Sequence, residues 1–547
     1  MIVICSTLYR SNAPLAKRLW PTMAAFARPI AILRHYRRAD LGPDIIAGLT
    51  VAMVAIPQAI AYALIADLPP HTGLYSAIVG TIVGALWGSS HHLQTGPTNA
   101  TSLLILPALL AVATPGTPEY LTAAATIAVL AGLIKLLAGL ARLGMLINFV
   151  SDSVVIGFTS GAGLLIIVNQ LRHLLRLNVP TAPALDQMLR NVVIHLPETH
   201  LPSLLLGVGT MAMALMLKRI RPRLPNALIA LTLASLITVI AGQTVEVRIV
   251  GALPKGLPLF KVPPLTDLRL IGELSTTALA VAAFSLIEAT SAARTIAAAT
   301  RQRLDSNQEF IGQGLAGIAC GLWSGYPPSG SMARSAINLQ AGGRTALANV
   351  FCGLFVLLAL LVFAPLAAHI PLSALAGLVI VAAAGLINRR EIERIWRSAG
   401  GDRAIMVVTL LATLLLPLQF AVLSGILMSL GYYLLKTSTP RVRPVLPDDR
   451  FEHLIHRPDK PSCPQLGIIE ILGDLYFGAA HHVEECIERN LTENPTQRFL
   501  LLRLQSVERI DISGIHALEN IMRSYRERGG DLFLTRVREP VAEVMRA

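Results

Sequence analysis

"SGYPPSGSMARSAINL", residues 324–339, interrupts an otherwise apolar chain with two adjacent prolines, several serines and an arginine. A second interruption, "QTGPTNATSLLIL" at 94–106, has the same design: a helix-breaking glycine and proline, then hydroxyl-bearing residues, then a short apolar run. Irregular backbone at membrane depth is tolerated only where it is buried in protein or lines a cavity. A helix that starts there presents its first backbone N–H groups and the positive end of its dipole. Two such half-helices aimed at one point would form an anion site.

The rest of the chain sets this pair in a membrane. Of 547 residues, 53% are hydrophobic and 14% are charged, against about 25% charged in an ordinary soluble domain. Fourteen apolar stretches follow Asp44, centred near residues 55, 80, 103, 130, 160, 209, 234, 285, 317, 337, 355, 380, 411 and 429. A helix of about 20 such residues crosses a bilayer core. The net charge of +13 needs no nucleic acid, because basic residues gather in cytoplasmic loops of membrane proteins. Residues 1–43 carry seven Lys or Arg against the single acid Asp40, which places the N-terminus in the cytoplasm. "MIVICSTLYR" has too short an apolar run for a signal peptide, and basic residues follow it rather than precede it. Even-numbered spans should then end inside. "KRIRPR" (218–223) follows the sixth, Arg294, Arg301 and Arg303 end the eighth, and Arg389, Arg390, Arg394, Arg397 and Arg403 follow the twelfth.

The chain also repeats itself. "GTIVGALWGSS" from Gly80 resembles "AGIACGLWSG" from Ala316, and "GPTNATS" from Gly96 aligns with "GSMARSA" from Gly330. "VSDSVVIGFTSGAGLLI" from Val150 aligns with "IPLSALAGLVIVAAAGLI" from Ile370. Seven spans per copy is odd, so the second copy enters from the opposite side, as in the inverted repeats of many secondary transporters. The expected organisation is a cytoplasmic N-terminal segment (1–43) and a transmembrane domain (44–438), with repeats at about 44–242 and 273–438. A Pro-rich linker (439–463) and a small cytoplasmic α/β domain (464–547) follow. In that last domain "LGIIEI", "FLLLRL" and "DLFLTRV" read as strands, and 478–491 and 514–528 as helices.

The candidate site follows from the repeat. Thr98, Asn99 and Thr101 on one half-helix, and Ser329, Gly330, Ser331 and Ser335 at the other, offer hydroxyl, amide or backbone donors. Arg334 lies one turn into the tenth span, and an arginine inside a membrane is functional or paired. Glu288 is the only carboxylate between Glu273 and Asp305. At mid-span its charged form is costly, which suits a group that takes up and releases a proton. Pro57, Gln58 and Tyr62 interrupt the first span. Gln58 and Tyr62 are four apart and share a helix face, lining the same cavity or joining packed helices. Five cysteines lack metal-ligand spacing. No nucleophile elbow or phosphate-binding glycine loop is present, so neither an enzyme nor a cofactor is expected.

"PPHTGLYSAIVGTIVGALWGSSHH" (69–92), "IPQAIAYALIA" (56–66) and "SGSMARSAINLQAGGRT" (329–345) together resemble the SulP anion transporters, and "DISG" at 511–514 resembles a turn of the STAS domain. The first motif departs from the family pattern at Thr72 and His91. The resemblance implies fourteen segments in two inverted seven-segment repeats, arranged as a core and a gate domain that move in elevator fashion. It implies a homodimer in a bacterial-type inner membrane, lipid around it, and both termini cytoplasmic. Gln58 and the stretches from Thr98 and Ser331 would line the anion site, and Glu288 takes the position tied to coupling by protons, or by sodium in some relatives. Ser513 occupies the place of a phosphorylation site, although the same turn also suits a helix cap made by Asp511 or Ser513. The leading expectation is proton-coupled sulfate uptake. Bicarbonate or C4-dicarboxylate symport, an uncoupled exchanger or channel, and a membrane-tethered regulatory module are the alternatives.

Overall fold

The computed structural model describes residues 26–145, 150–179, 185–221, 224–241, 246–251, 256–398, 400–448, 450, 452–457 and 460–546. The readings made on residues 1–25, including the absence of a signal peptide, lie outside the described residues. The chain forms two compact units that divide after Leu427.

All fourteen expected span centres fall in helices. In chain order these are α1 (Arg38–Ile65), α2 (Pro70–Trp87), α3 (Asn99–Val112), α4 (Pro118–Leu140), α5 (Asp152–Leu174), α6 (Leu201–Ile220) and α7 (Asn226–Ala241). The second copy supplies α8 (Leu268–Thr300), α9 (Ser306–Leu322), α10 (Met332–Gln340), α11 (Leu347–Ala367), α12 (Leu372–Ala384), α13 (Gly400–Leu415) and α14 (Leu418–Ser438). Seven described segments are long and apolar enough to cross a membrane on length and composition. Among the others, α3 and α10 are the shortest. At 1.5 Å per residue they span only about 21 and 14 Å, less than a bilayer core of about 30 Å. Three further amphipathic helices lie between or before the spans, at Arg28–His35, Leu185–Ile194 and Arg389–Trp396. The last of these carries Arg389, Arg390 and Arg394, three of the basic residues that follow the twelfth span.

Packing follows the repeat. α4 lies against α9 as α11 lies against α2, and α4 against α8 as α11 against α1. α3 meets α8 as α10 meets α1, and α5 meets α13 as α12 meets α6. Spans 1–4 and 8–11 thus form one body, and spans 5–7 with 12 and 13 a second. The first body is drawn tight by small residues. A Cβ on Gly132 of α4 would stand 2.5 Å from the Ile318 backbone nitrogen of α9, so only glycine permits this approach. Between the two bodies run a Phe158–Phe284 ring contact at 4.5 Å and the Asp67–Arg172 ion pair.

Ahead of each half-helix lies a short strand, β1 (Gln94–Gly96) and β2 (Ser329–Ser331). They pair antiparallel, with Thr95 opposite Gly330 and Gly96 opposite Ser329. This ladder satisfies backbone groups that the breaks would leave orphaned. Because its strands run in opposite senses, α3 and α10 start side by side and leave in opposite directions.

The second unit contains a four-stranded sheet. Its strands are β3 (Arg441–Pro444), β4 (Leu466–Leu472), β5 (Phe499–Arg503) and β6 (Asp531–Thr535), adjacent in that order. β4, β5 and β6 are parallel, and β3 joins antiparallel, so part of the Pro-rich stretch read as linker supplies the sheet edge. Helices α15 (Phe477–Glu493), α16 (Ile512–Glu527) and the short α17 (Glu539–Arg546) complete it. Ile469, Ile471, Leu500, Leu502, Val483 and Ile521 form its core, each worth about 1.5–3 kcal/mol on burial.

Candidate anion site

The two half-helices are capped by their own hydroxyl residues. Thr98 Oγ1 accepts from the Thr101 N–H at 3.3 Å, and Ser331 Oγ accepts from the Arg334 N–H at 3.4 Å. These caps satisfy one orphan donor at each N-terminus. The remaining first-turn N–H groups are those that a ligand at a helix start would meet.

Glu288 joins the two half-sites. Its Oε2 accepts from Ser329 Oγ at 2.6 Å and from Thr98 Oγ1 at 3.4 Å. The carboxyl itself is half-buried. Arg294 instead reaches Ser306 Oγ at 3.3 Å. Arg334, 2% exposed, makes the complementary link: its Nη1 donates to the Pro97 carbonyl, across the ladder, at 2.9 Å. Its Nη2 is buried with no acceptor among the described residues. A buried guanidinium with an unfilled donor is costly and invites an anionic acceptor.

The remaining candidates divide. Tyr62 is buried and within the fields of both Arg334 and Glu288. Gln58 is half-buried on α1 and forms no hydrogen bond with the other candidates among the described residues. Thr101 is fully buried and turned inward, bonding Thr98 Oγ1 at 2.9 Å. Ser335, also buried, donates to the Ser331 carbonyl and accepts from the Gln94 N–H, so it ties α10 to β1. Asn99 Oδ1 accepts from the Ala100 N–H at 2.9 Å. Gly330 is a matter of space, since a Cβ there would lie 2.7 Å from Ala289 Cα of α8. Ser513 sits half-exposed in the first turn of α16. Asp511 is the cap, accepting from the Gly514 N–H at 2.9 Å and also from the Phe477 N–H at 2.9 Å.

Sequence reasoning passed over the residues that brace the site. Tyr326, ahead of the two prolines, exchanges hydrogen bonds between its backbone and Ser76 Oγ of α2, and its hydroxyl meets Ser102 Oγ at 3.0 Å. Glu309 of α9 accepts from the Ser89 and Ser90 N–H groups, fixing the "GSSHH" loop that leads into β1. Lys135 of α4 is fully buried, and its Nζ donates to the Pro328 carbonyl at 3.3 Å. The available signal was a lone charge in each of two otherwise apolar spans.

Known proteins carry the same architecture. The Sulfate permease family matches residues 41–409, and the STAS domain matches residues 457–547. "Probable sulfate transporter MT1781" of Mycobacterium tuberculosis (strain CDC 1551 / Oshkosh) is 32% identical over 536 residues, which cover 96% of this chain and 95% of that one. The solved murine Slc26a9 anion transporter, in the inward-facing state, superposes with a TM-score of 0.87 at 20% identity, over 99% of this chain and 92% of that one. The transmembrane domain of a cyanobacterium bicarbonate transporter, BicA, gives a TM-score of 0.62 at 24% identity, over 72% of this chain and 99% of that one. The two solved structures establish a likeness of fold. Matched by its family over most of its length, and built on two half-helices that converge across an inverted repeat, the chain belongs to the sulfate permease family: it is an integral membrane transporter of small anions with a C-terminal STAS domain.

Proposed function

We propose that the substrate is a small oxyanion of the sulfate class, bound between the N-termini of α3 and α10 and moved as the first body slides against the second. The observation that carries this reading is the unfilled, buried Nη2 of Arg334 beside the two capped helix starts. Ser331, the helix starts and that guanidinium supply the donors an oxyanion needs. Sulfate is favoured over bicarbonate and C4-dicarboxylates by the name of the mycobacterial relative. The resemblance adds a homodimer in a bacterial-type inner membrane.

Coupling has two readings. In proton symport, Glu288 takes up a proton as the anion arrives, and its contact with both half-helices gives it a direct route to sense occupancy. In uncoupled exchange, Glu288 stays ionised and serves as a tether: it accepts two hydroxyl bonds and offsets the charge of Arg334. The second reading is favoured by that geometry. It also needs only the anion site, which is all that the names of the relatives share.

The test is uptake of labelled sulfate, bicarbonate and succinate into proteoliposomes, with and without an inward proton gradient. Sulfate uptake that is saturable and indifferent to the gradient supports exchange. Acceleration by the gradient supports symport. Absence of uptake for all three anions refutes the substrate class.

A further inference from the structure

Lys135 carries a buried charge that the anion site as described uses only as a brace. It sits in the last third of α4, is wholly buried, and among the described residues has one hydrogen-bond acceptor, the Pro328 carbonyl at 3.3 Å. No carboxylate pairs with it among the described residues. A buried ammonium without a counter-charge is expensive, and within a membrane such groups mark substrate pathways. Pro328 directly precedes Ser329, whose hydroxyl bonds Glu288. Lys135 therefore touches the break that creates the second half-helix.

Counting charge around the site makes the point sharper. Arg334 and Glu288 act on each other and offset. Lys135 remains as surplus positive charge, and an anion between the half-helices would be its missing counter-charge.

We propose that Lys135 sets the charge preference of the site, favouring dianions over monoanions through its field while its hydrogen bond positions the Pro328 break. This rests on the oxyanion reading above. Attraction to a fixed charge grows with the charge of the ligand, so a second negative charge gains what the first did. For charges about 10 Å apart at an effective dielectric of about 20, that gain is on the order of tenfold in affinity.

The experiment uses the full chain in proteoliposomes, reading labelled-sulfate uptake and its inhibition by nitrate. Lys135→Gln keeps a donor for the Pro328 carbonyl and drops the charge. Lys135→Arg keeps both. The expected result in Lys135→Gln is a rise of about a hundredfold in the KM for sulfate and of about tenfold in the nitrate inhibition constant, so that the preference for sulfate falls about tenfold, with near wild-type values for both in Lys135→Arg. A Lys135→Gln protein with the wild-type sulfate-to-nitrate ratio would show that only the hydrogen bond matters, and would overturn the proposal. Should Lys135→Gln fail to insert, a folded Lys135→Arg protein that loses its preference for sulfate overturns it equally. If the unmodified protein moves neither anion, the failure lies with the oxyanion reading instead.

Discussion

Arg334 and Glu288 hold the site together by bonding across the repeat rather than within it. Arg334 belongs to the second copy and donates to Pro97 of the first, while Glu288 accepts from Ser329 and Thr98, one from each. Glu288→Gln still accepts a hydroxyl bond but cannot offset Arg334 or release a proton. We expect sulfate exchange to persist in this variant and any acceleration by a proton gradient to vanish, read as counterflow with and without the gradient. Gly330→Ala tests space instead of charge. Its new Cβ would press on the α8 backbone beside Glu288, and overpacking of this kind costs about 1–3 kcal/mol. Transport should fall and the thermal unfolding midpoint of the purified protein should drop. Thr98, Ser331 and Arg334 were legible in the sequence because proline and glycine punctuate the chain just before them. Lys135 and Glu309 were not, since a lone charge in an apolar span says that something must receive it but not what. Thr101 and Ser335 carry the same chemistry as Thr98 and Ser331, and their buried hydroxyls bond to Thr98 and to the Ser331 carbonyl.

At the scale of elements, the short lengths of α3 and α10 follow from the breaks that precede them, and the β1–β2 ladder makes those breaks tolerable. The ladder was not legible: three residues at each site carry no period-2 signal, and pairing across 235 positions is a tertiary event. The strands and helices of the second unit were legible, because alternating and helical periodicities are strong there. Its edge strand β3 was missed, since prolines made 441–444 read as linker, and proline is tolerated at sheet edges. In the "DISG" turn Asp511 is the helix cap. Asp511→Ala should destabilise this unit by about 1 kcal/mol or somewhat more, because Asp511 also receives the Phe477 N–H. Thermal melts of the full chain followed by far-UV circular dichroism would check this. Ser513→Ala, which removes no hydrogen bond among the described residues, should leave both the melt and the transport rate unchanged.

In the whole molecule, the division of the spans into two bodies suits the proposed carriage of an anion, since the candidate site lies within one of them. The inverted repeat, legible as three weak matches in order, reappears as four pairs of equivalent helix contacts. The Asp67–Arg172 pair crosses from the loop after α1 to the end of α5 and must part if the bodies slide. Asp67→Cys combined with Arg172→Cys, when oxidised, should arrest transport reversibly. Undiminished transport in a fully cross-linked sample would contradict a sliding motion. The measurement that bears most directly on the anion site is equilibrium binding of labelled sulfate to the purified full chain. The wild type should bind saturably, and Arg334→Ala, which loses a charge-assisted donor, should bind about ten- to hundredfold more weakly. Wild-type affinity in a protein carrying both Arg334→Ala and Ser331→Ala would contradict the assignment of the site to the two half-helices.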